Sequence, residues 1–151
     1  MRHLRAALTV PWVLAAAFAV ARRFERLPLD EIAGFLCRGK TLPKPVRDPR
    51  LLSAVAWKLH PWLPPHRMGP CLKRSLILIR LWSGCGLRPR LHLGVRKMRA
   101  DTLFHAWVSV DGHPELTAGD SGYTEVFAFA RIIHERSKRN RRDVCQHWLT
   151  Y

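Results

Sequence analysis

The sequence predicts an α+β fold in which helices come first and an antiparallel sheet follows. Three observations carry that expectation. Apolar residues recur at helical spacing through the first half of the chain, the spacing changes from near four to two after Gly86, and prolines and glycines punctuate the segments between. At 151 residues and 48% hydrophobic, the chain is long enough for a domain with a real core, and its composition is not that of a disordered protein. It divides into an N-terminal helical segment, 1–50, a core, 51–130, and a basic tail, 131–151.

The run from Ala6 to Ala21 is small and apolar, between Met1-Arg2-His3-Leu4-Arg5 and Arg22-Arg23. Its basic start, short apolar centre and Ala19-Val20-Ala21 imitate a secretory signal peptide. Arg22, Arg23 and Arg26 follow at once, Pro11 interrupts the run, and the helical pattern continues through Phe24 and Leu27. With a length marginal for a membrane span, these features favour a buried or membrane-surface amphipathic helix over a signal or anchor. Asp30 to Cys37, opened by Pro28 and ended by Gly39, reads as a second helix, and Leu51 to Leu59, closed by His60-Pro61, as a third. Pro61, Pro64, Pro65 and Pro70 predict an irregular path into the next helix.

The central element is a helix that begins at Gly69-Pro70-Cys71 and is stopped by Gly84 and Gly86. Proline suits its first turn because the missing N–H would be unpaired there anyway. Leu72, Leu76, Ile79, Trp82 and Ser83 predict one buried stripe, with Lys73, Arg74 and Arg80 at other angles. Cys71 falls in the first turn, where unpaired N–H groups and the helix dipole favour a thiolate. A cysteine can equally pack there as a small hydrophobe.

Beyond the helix, Leu91, Leu93 and Val95 alternate with Arg90, His92 and Arg96, the pattern of a half-buried strand. Leu103 to Val110 is a second, with Phe104, Ala106, Val108 and Val110 on one face and Leu103, His105, Trp107 and Ser109 on the other. Asp111-Gly112 signals a hairpin, His113 to Ala118 returns along the second strand, and Tyr123 to Ala130 adds a further strand.

A cysteine nucleophile needs a base and a group that orients the base. His105, in an otherwise apolar strand, is the candidate base, although half-buried strand histidines beside a tryptophan also occur as simple packing. Asp111 lies six residues further along the same strand, about 20 Å away, and serves the turn. A two-residue turn puts Asp120 one diagonal step from His105. A four-residue loop, widened by Pro114, puts it directly opposite, and a three-residue loop turns it to the other face. Cys71, His105 and Asp120 thus form a candidate triad, with the Cys71 N–H as an oxyanion donor. His60, His66, His92 and His113 are expected to serve packing or the surface. Cys37, Cys71, Cys85 and Cys145 show neither C-x-x-C nor zinc-finger spacing, so they read as reduced thiols, and no metal or cofactor is expected.

The net charge of +15, from 26 Lys+Arg against 11 Asp+Glu, calls for an acidic partner or a solvated face. It leaves an alternative open: a non-catalytic basic module binding nucleic acid or an anionic membrane through Arg131–Arg142 and the N-terminal helix. The same triad would also serve acyl transfer.

Cys71-Leu72-Lys73-Arg74-Ser75-Leu76, the run Gly86 to Lys97 with Leu93-Gly94-Val95-Arg96-Lys97, and His105-Ala106-Trp107-Val108 followed by Asp111-Gly112 occur in order over residues 50–130. Together they resemble the transglutaminase-like cysteine peptidase of lasso-peptide biosynthesis, in its standalone leader-peptidase form. The resemblance implies a papain/transglutaminase-like α+β fold, with N-terminal helices and a central Cys-bearing helix packed on an antiparallel sheet. It implies that Cys71 attacks the leader–core bond of a ribosomal precursor peptide, with His105 as base and an aspartate beyond the hairpin orienting it. The implied partners are that precursor, a small leader-binding recognition protein and a macrolactam-forming synthetase, with no nucleic acid. The implied location is the cytoplasm, with membrane contact through the N-terminal helix as a further expectation. Two positions depart from the family pattern: Thr117 stands where its acid tends to fall, and Ser109 where it often has glutamate.

Overall fold

Among the residues that the structure describes, four α-helices, α1 (Arg2–Phe24), α2 (Leu29–Cys37), α3 (Pro49–Leu59) and α4 (Pro70–Gly84), precede three strands, β1 (Pro89–Met98), β2 (Asp101–Val110) and β3 (Thr124–Phe129). The structure is a computed structural model and describes residues 2–38, 40–65, 67–98, 101–111 and 122–129, with side chains from residue 6 onward. Among them the helices pack on an antiparallel sheet of order β2-β1-β3. This is the α+β arrangement that the periodicities predict.

Local chemistry sets the helix boundaries. Helix α3 starts two residues before the predicted Leu51, because the Asp48 carboxylate accepts from the Arg50 and Leu51 N–H groups at 3.0 and 3.1 Å and Pro49 takes the first position. Helix α1 runs through Pro11, which lies on the solvent side, where water can take up the carbonyl that proline leaves unpaired. Between α3 and α4 the described residues of the proline-rich stretch are irregular apart from a 3-10 turn, His60–Trp62. Gly86, at φ 87°, turns the chain out of α4 in a conformation that side chains disfavour.

Helix α4 corrects the expectation of a single buried stripe. Lys73, Ser75, Leu76, Ile77, Leu78, Ile79, Leu81 and Trp82 are all buried, because α1, α2 and α3 cover one side of the helix and β1 and β2 the other. A helix enclosed in this way is apolar nearly all round rather than amphipathic. The Trp82 indole N–H still finds acceptors, Ser53 Oγ at 3.0 Å and the Pro49 carbonyl at 3.3 Å. Val13, Ala16, Ala17 and Val20 of α1, and Ile32 and Leu36 of α2, belong to the same core as Leu76 and Ile79.

In the sheet, β1 pairs with β2 from Pro89 opposite Val110 to Met98 opposite Asp101, and Gly94 faces His105. On its other side β1 pairs with β3, from Leu91 opposite Phe129 to Val95 opposite Thr124, with a bulge between Leu93 and Gly94. Leu91, Ala106, Val108 and Val110 turn into the core with α4. The predicted return strand, His113 to Ala118, lies outside the described residues.

Leu76, fully buried at the middle of α4, measures how much of the fold this helix carries. Leu76→Ala is expected to cost about 2–5 kcal/mol, whereas Leu8→Ala on the exposed side of α1 should cost well under 1 kcal/mol. Chemical denaturation of both variants checks the contrast.

Candidate active site

The start of α4 is built from three hydrogen bonds. Lys73 N–H is the first in the helix to reach a carbonyl, that of Gly69 at 3.0 Å, so the N–H groups of Cys71 and Leu72 precede the intrahelical ladder. The His60 ring approaches the Pro70 carbonyl at 3.0 Å; a carbonyl only accepts, so Nε2 carries the proton. Inside, the Lys73 ammonium donates to the Leu63 carbonyl at 2.8 Å. Lys73 is only 5% exposed, although the sequence placed it off the apolar stripe. Leu63 and Met68 are buried as well, which ties the proline-rich loop down beneath the helix start.

The Cys71 thiol is half-buried and free. One turn on, Arg74 lies 4.3 Å over the Trp57 ring. Burial lowers the Arg74 pKa from its ordinary value, and the neighbouring Cys71 pulls it back up. Burial likewise lowers the Lys73 pKa. For His60 the downward shift comes first from burial, then from the Lys73 charge; the Pro70 hydrogen bond opposes it and Arg74 adds to it. Three cationic or proton-bearing groups therefore gather where a helix start already favours an anion. Burial pushes the Cys85 thiol up to about 11, with Arg47 pulling it down and Asp48 pushing it further up. Cys37 is buried on α2, and Cys145 lies outside the described residues.

His105 sits mid-way along β2, half-buried, on the sheet face opposite Ala106 and Val108. Its ring stacks on Tyr123 at 4.7 Å and lies 6.2 Å from Trp107, which in turn stacks on His92 at 5.2 Å. Both ends of this row are held. His92 pairs through Nδ1 with the Glu125 carboxylate and through Nε2 with Ser109 Oγ at 2.7 Å, while the Arg96 guanidinium lies 4.9 Å over Tyr123. Gly94 makes room for the row: a Cβ there would come within 2.7 Å of the Trp107 ring and 2.8 Å of the Thr124 carbonyl.

The structure thus places Cys71 in the cationic first turn of α4 and His105 in an aromatic row across the sheet. Asp120 and Thr117 lie outside the described residues, as do His66 and His113. Asp111, read as a turn residue, lies in the turn just after β2, and its carboxylate accepts from Arg90 at 2.7 Å. Sequence reasoning assigns His60 and His92 only to packing or the surface. In the structure His60 bonds the backbone next to the thiol, and His92 ends the row that contains His105. His92 and Ser109 could have been paired from period-two parity, since both alternate with core-facing residues. The bond from His60 to Pro70 depends on the loop path and has no local signal. Among the described residues no cluster of His, Cys, Asp and Glu could hold a metal ion.

The sequence model of the transglutaminase-like superfamily matches residues 11–132, most of the chain, and the chain belongs to that superfamily. No curated protein and no solved structure matches it.

Iodoacetamide on the native protein at mildly alkaline pH, with peptide mapping of the product, should modify Cys71 well before Cys85, whose raised pKa keeps it protonated there. Because the folded pKa of His60 lies below the ordinary value of about 6.5, the unfolded chain takes up this proton first as pH falls. Its contribution to stability is therefore present above about pH 6.5 and is lost as pH drops towards the lowered value. Denaturation of the native protein and His60→Gln across that window should show the native protein losing more stability than the variant.

Proposed function

We propose that this member of the transglutaminase-like superfamily is a cysteine endopeptidase that removes the leader from a lasso-peptide precursor. The observation that carries the reading is Cys71 itself: a half-exposed thiol in the first turn of α4, beside Arg74, with the Cys71 and Leu72 N–H groups ahead of the helix ladder. The leader-peptidase part rests on the three sequence motifs around Cys71, Gly94 and His105.

The pairing of Cys71 with His105 rests on the sequence motifs: in the structure Ala106 and Val108 turn into the core with α4, and His105 lies on the opposite face of the sheet. In the reaction His105 takes the Cys71 proton and Sγ attacks the scissile carbonyl carbon. The Cys71 and Leu72 N–H groups receive the oxyanion, and the proton passes to the leaving amine. Water then hydrolyses the thioester and restores the thiol. Asp120 orients His105 in the register that the hairpin arithmetic favours. A small recognition protein presents the leader, the synthetase takes the released core, and the chain's positive charge suits an acidic leader or partner.

Mass spectrometry of a cognate precursor, incubated with its leader-binding partner and this protein, tests the reading. Cleavage at one bond is expected, lost with Cys71→Ala and reduced about a thousandfold or more with His105→Asn. Asp120→Asn should impair cleavage more than Thr117→Val. Undiminished cleavage by Cys71→Ala overturns the mechanism. A product carrying the mass of an added amine, with no hydrolysis, assigns acyl transfer instead.

A further inference from the structure

Helix α1 is apolar on two sides, and the core covers one of them. Val13, Ala16, Ala17 and Val20 are buried among the helices, while Leu8, Pro11, Leu14, Ala15 and Phe18 line up on the opposite side and face solvent. Phe18 is 63% exposed. From Ala6 to Ala21 this helix carries no charge, and Arg22, Arg23 and Arg26 come directly after. By length and composition Ala6–Phe24 could cross a membrane. Its burial against α3 and α4 instead leaves it lying along the surface of the molecule.

Beside the uncovered face, between α1, α2 and α4, opens a cleft of about 430 Å³. Arg23, Arg38, Lys40 and Arg80 line it over Trp12 and Phe35, and no carboxylate is among the described residues of its wall. The Arg23 guanidinium lies 3.4 Å over the Phe35 ring and bonds the Ala19 carbonyl at 3.2 Å. Arg80 reaches the Lys40 carbonyl at 3.4 Å, and burial lowers its pKa from the ordinary value. Four cations thus share one apolar-floored cleft with neutral acceptors. Ala15 belongs both to the cleft wall and to the uncovered face, so the two are continuous.

We propose that the uncovered face of α1 and this cleft form one docking surface for an anionic phospholipid bilayer, the apolar side chains entering the acyl layer and the cleft cations holding lipid phosphates. A bilayer presents an apolar phase and a layer of phosphates in adjacent planes, which matches an apolar face bordered by cations. Nucleic acid offers the phosphates without an apolar layer for Leu14 and Phe18 to enter. The helix lies in the plane of the interface, with its other side in the protein core.

Co-sedimentation of the full chain with phosphatidylcholine vesicles, with and without phosphatidylglycerol, tests the proposal. Binding is expected to the anionic vesicles and to weaken with salt. Phe18→Glu, an exposed position, should reduce it by about tenfold or more. Arg38→Gln and Lys40→Gln should each reduce it by about fivefold on anionic vesicles. Equal binding to neutral vesicles, no binding to either, or no loss with Phe18→Glu overturns the proposal. So does a doubled mass in analytical ultracentrifugation that Phe18→Glu abolishes, since a second copy would then cover the face. Melting temperatures of the variants, expected to match the native protein, separate lost docking from lost folding. Vesicle binding is read without any precursor, so its failure is distinguishable from failure of the peptidase reading.

Discussion

Enclosing α4 while leaving its first turn accessible is the constraint on which the rest of the structure depends. From Ser75 to Trp82 nearly every side chain of this helix is buried, so it requires helices on one side and a sheet on the other. That requirement explains why α1 and α2 share a core with α4 rather than forming a separate unit. At Gly69 and Pro70 the cover stops, and Cys71 emerges at the boundary. The same boundary is held from below by the loop that precedes it, through His60 on Pro70 and Lys73 on Leu63. A buried ammonium bonded to a carbonyl is costly to leave unmade, so this contact specifies the loop path more than it adds net stability.

The sheet serves two environments with its two faces. Leu91, Ala106, Val108 and Val110 complete the shell around α4. The opposite face carries rings and charges, with Trp107 between His92 and His105 and the ends of the row held by Glu125, Ser109 and Arg96. Period-two alternation makes this division of labour available, and a one-residue slip would exchange the faces. Gly94 permits it sterically, because a side chain there would occupy the space of the Trp107 ring.

Helix order, the Gly-Pro start before Cys71, the Ala106, Val108 and Val110 face of β2 and the mid-strand position of His105 are all legible in local pattern, and the structure reproduces them; Phe104, read onto the same face, is exposed instead. The single-stripe reading of α4 fails for a physical reason: a helix covered on all sides loses the amphipathic signal on which such readings rely. Lys73 is misplaced by the same logic, since a charge within a helical pattern is usually solvated, and here a loop carbonyl reaches it inside. His60 and His92 gain roles because each meets a partner distant in sequence. Their neighbours along the chain give no hint of Pro70 or Glu125.

By itself, the sequence determined the α+β class, the elements and their order, the thiol at a helix start, and the strand face that carries His105. These depend on spacing of 3.6 or 2 residues and on the fixed backbone chemistry of proline and glycine, which act locally. The tertiary structure decided which helix is enclosed, how the described strands order as β2-β1-β3, and that four cations meet in one cleft beside an uncovered helix face. Those outcomes depend on which distant surfaces exclude water from one another, and no local period encodes that.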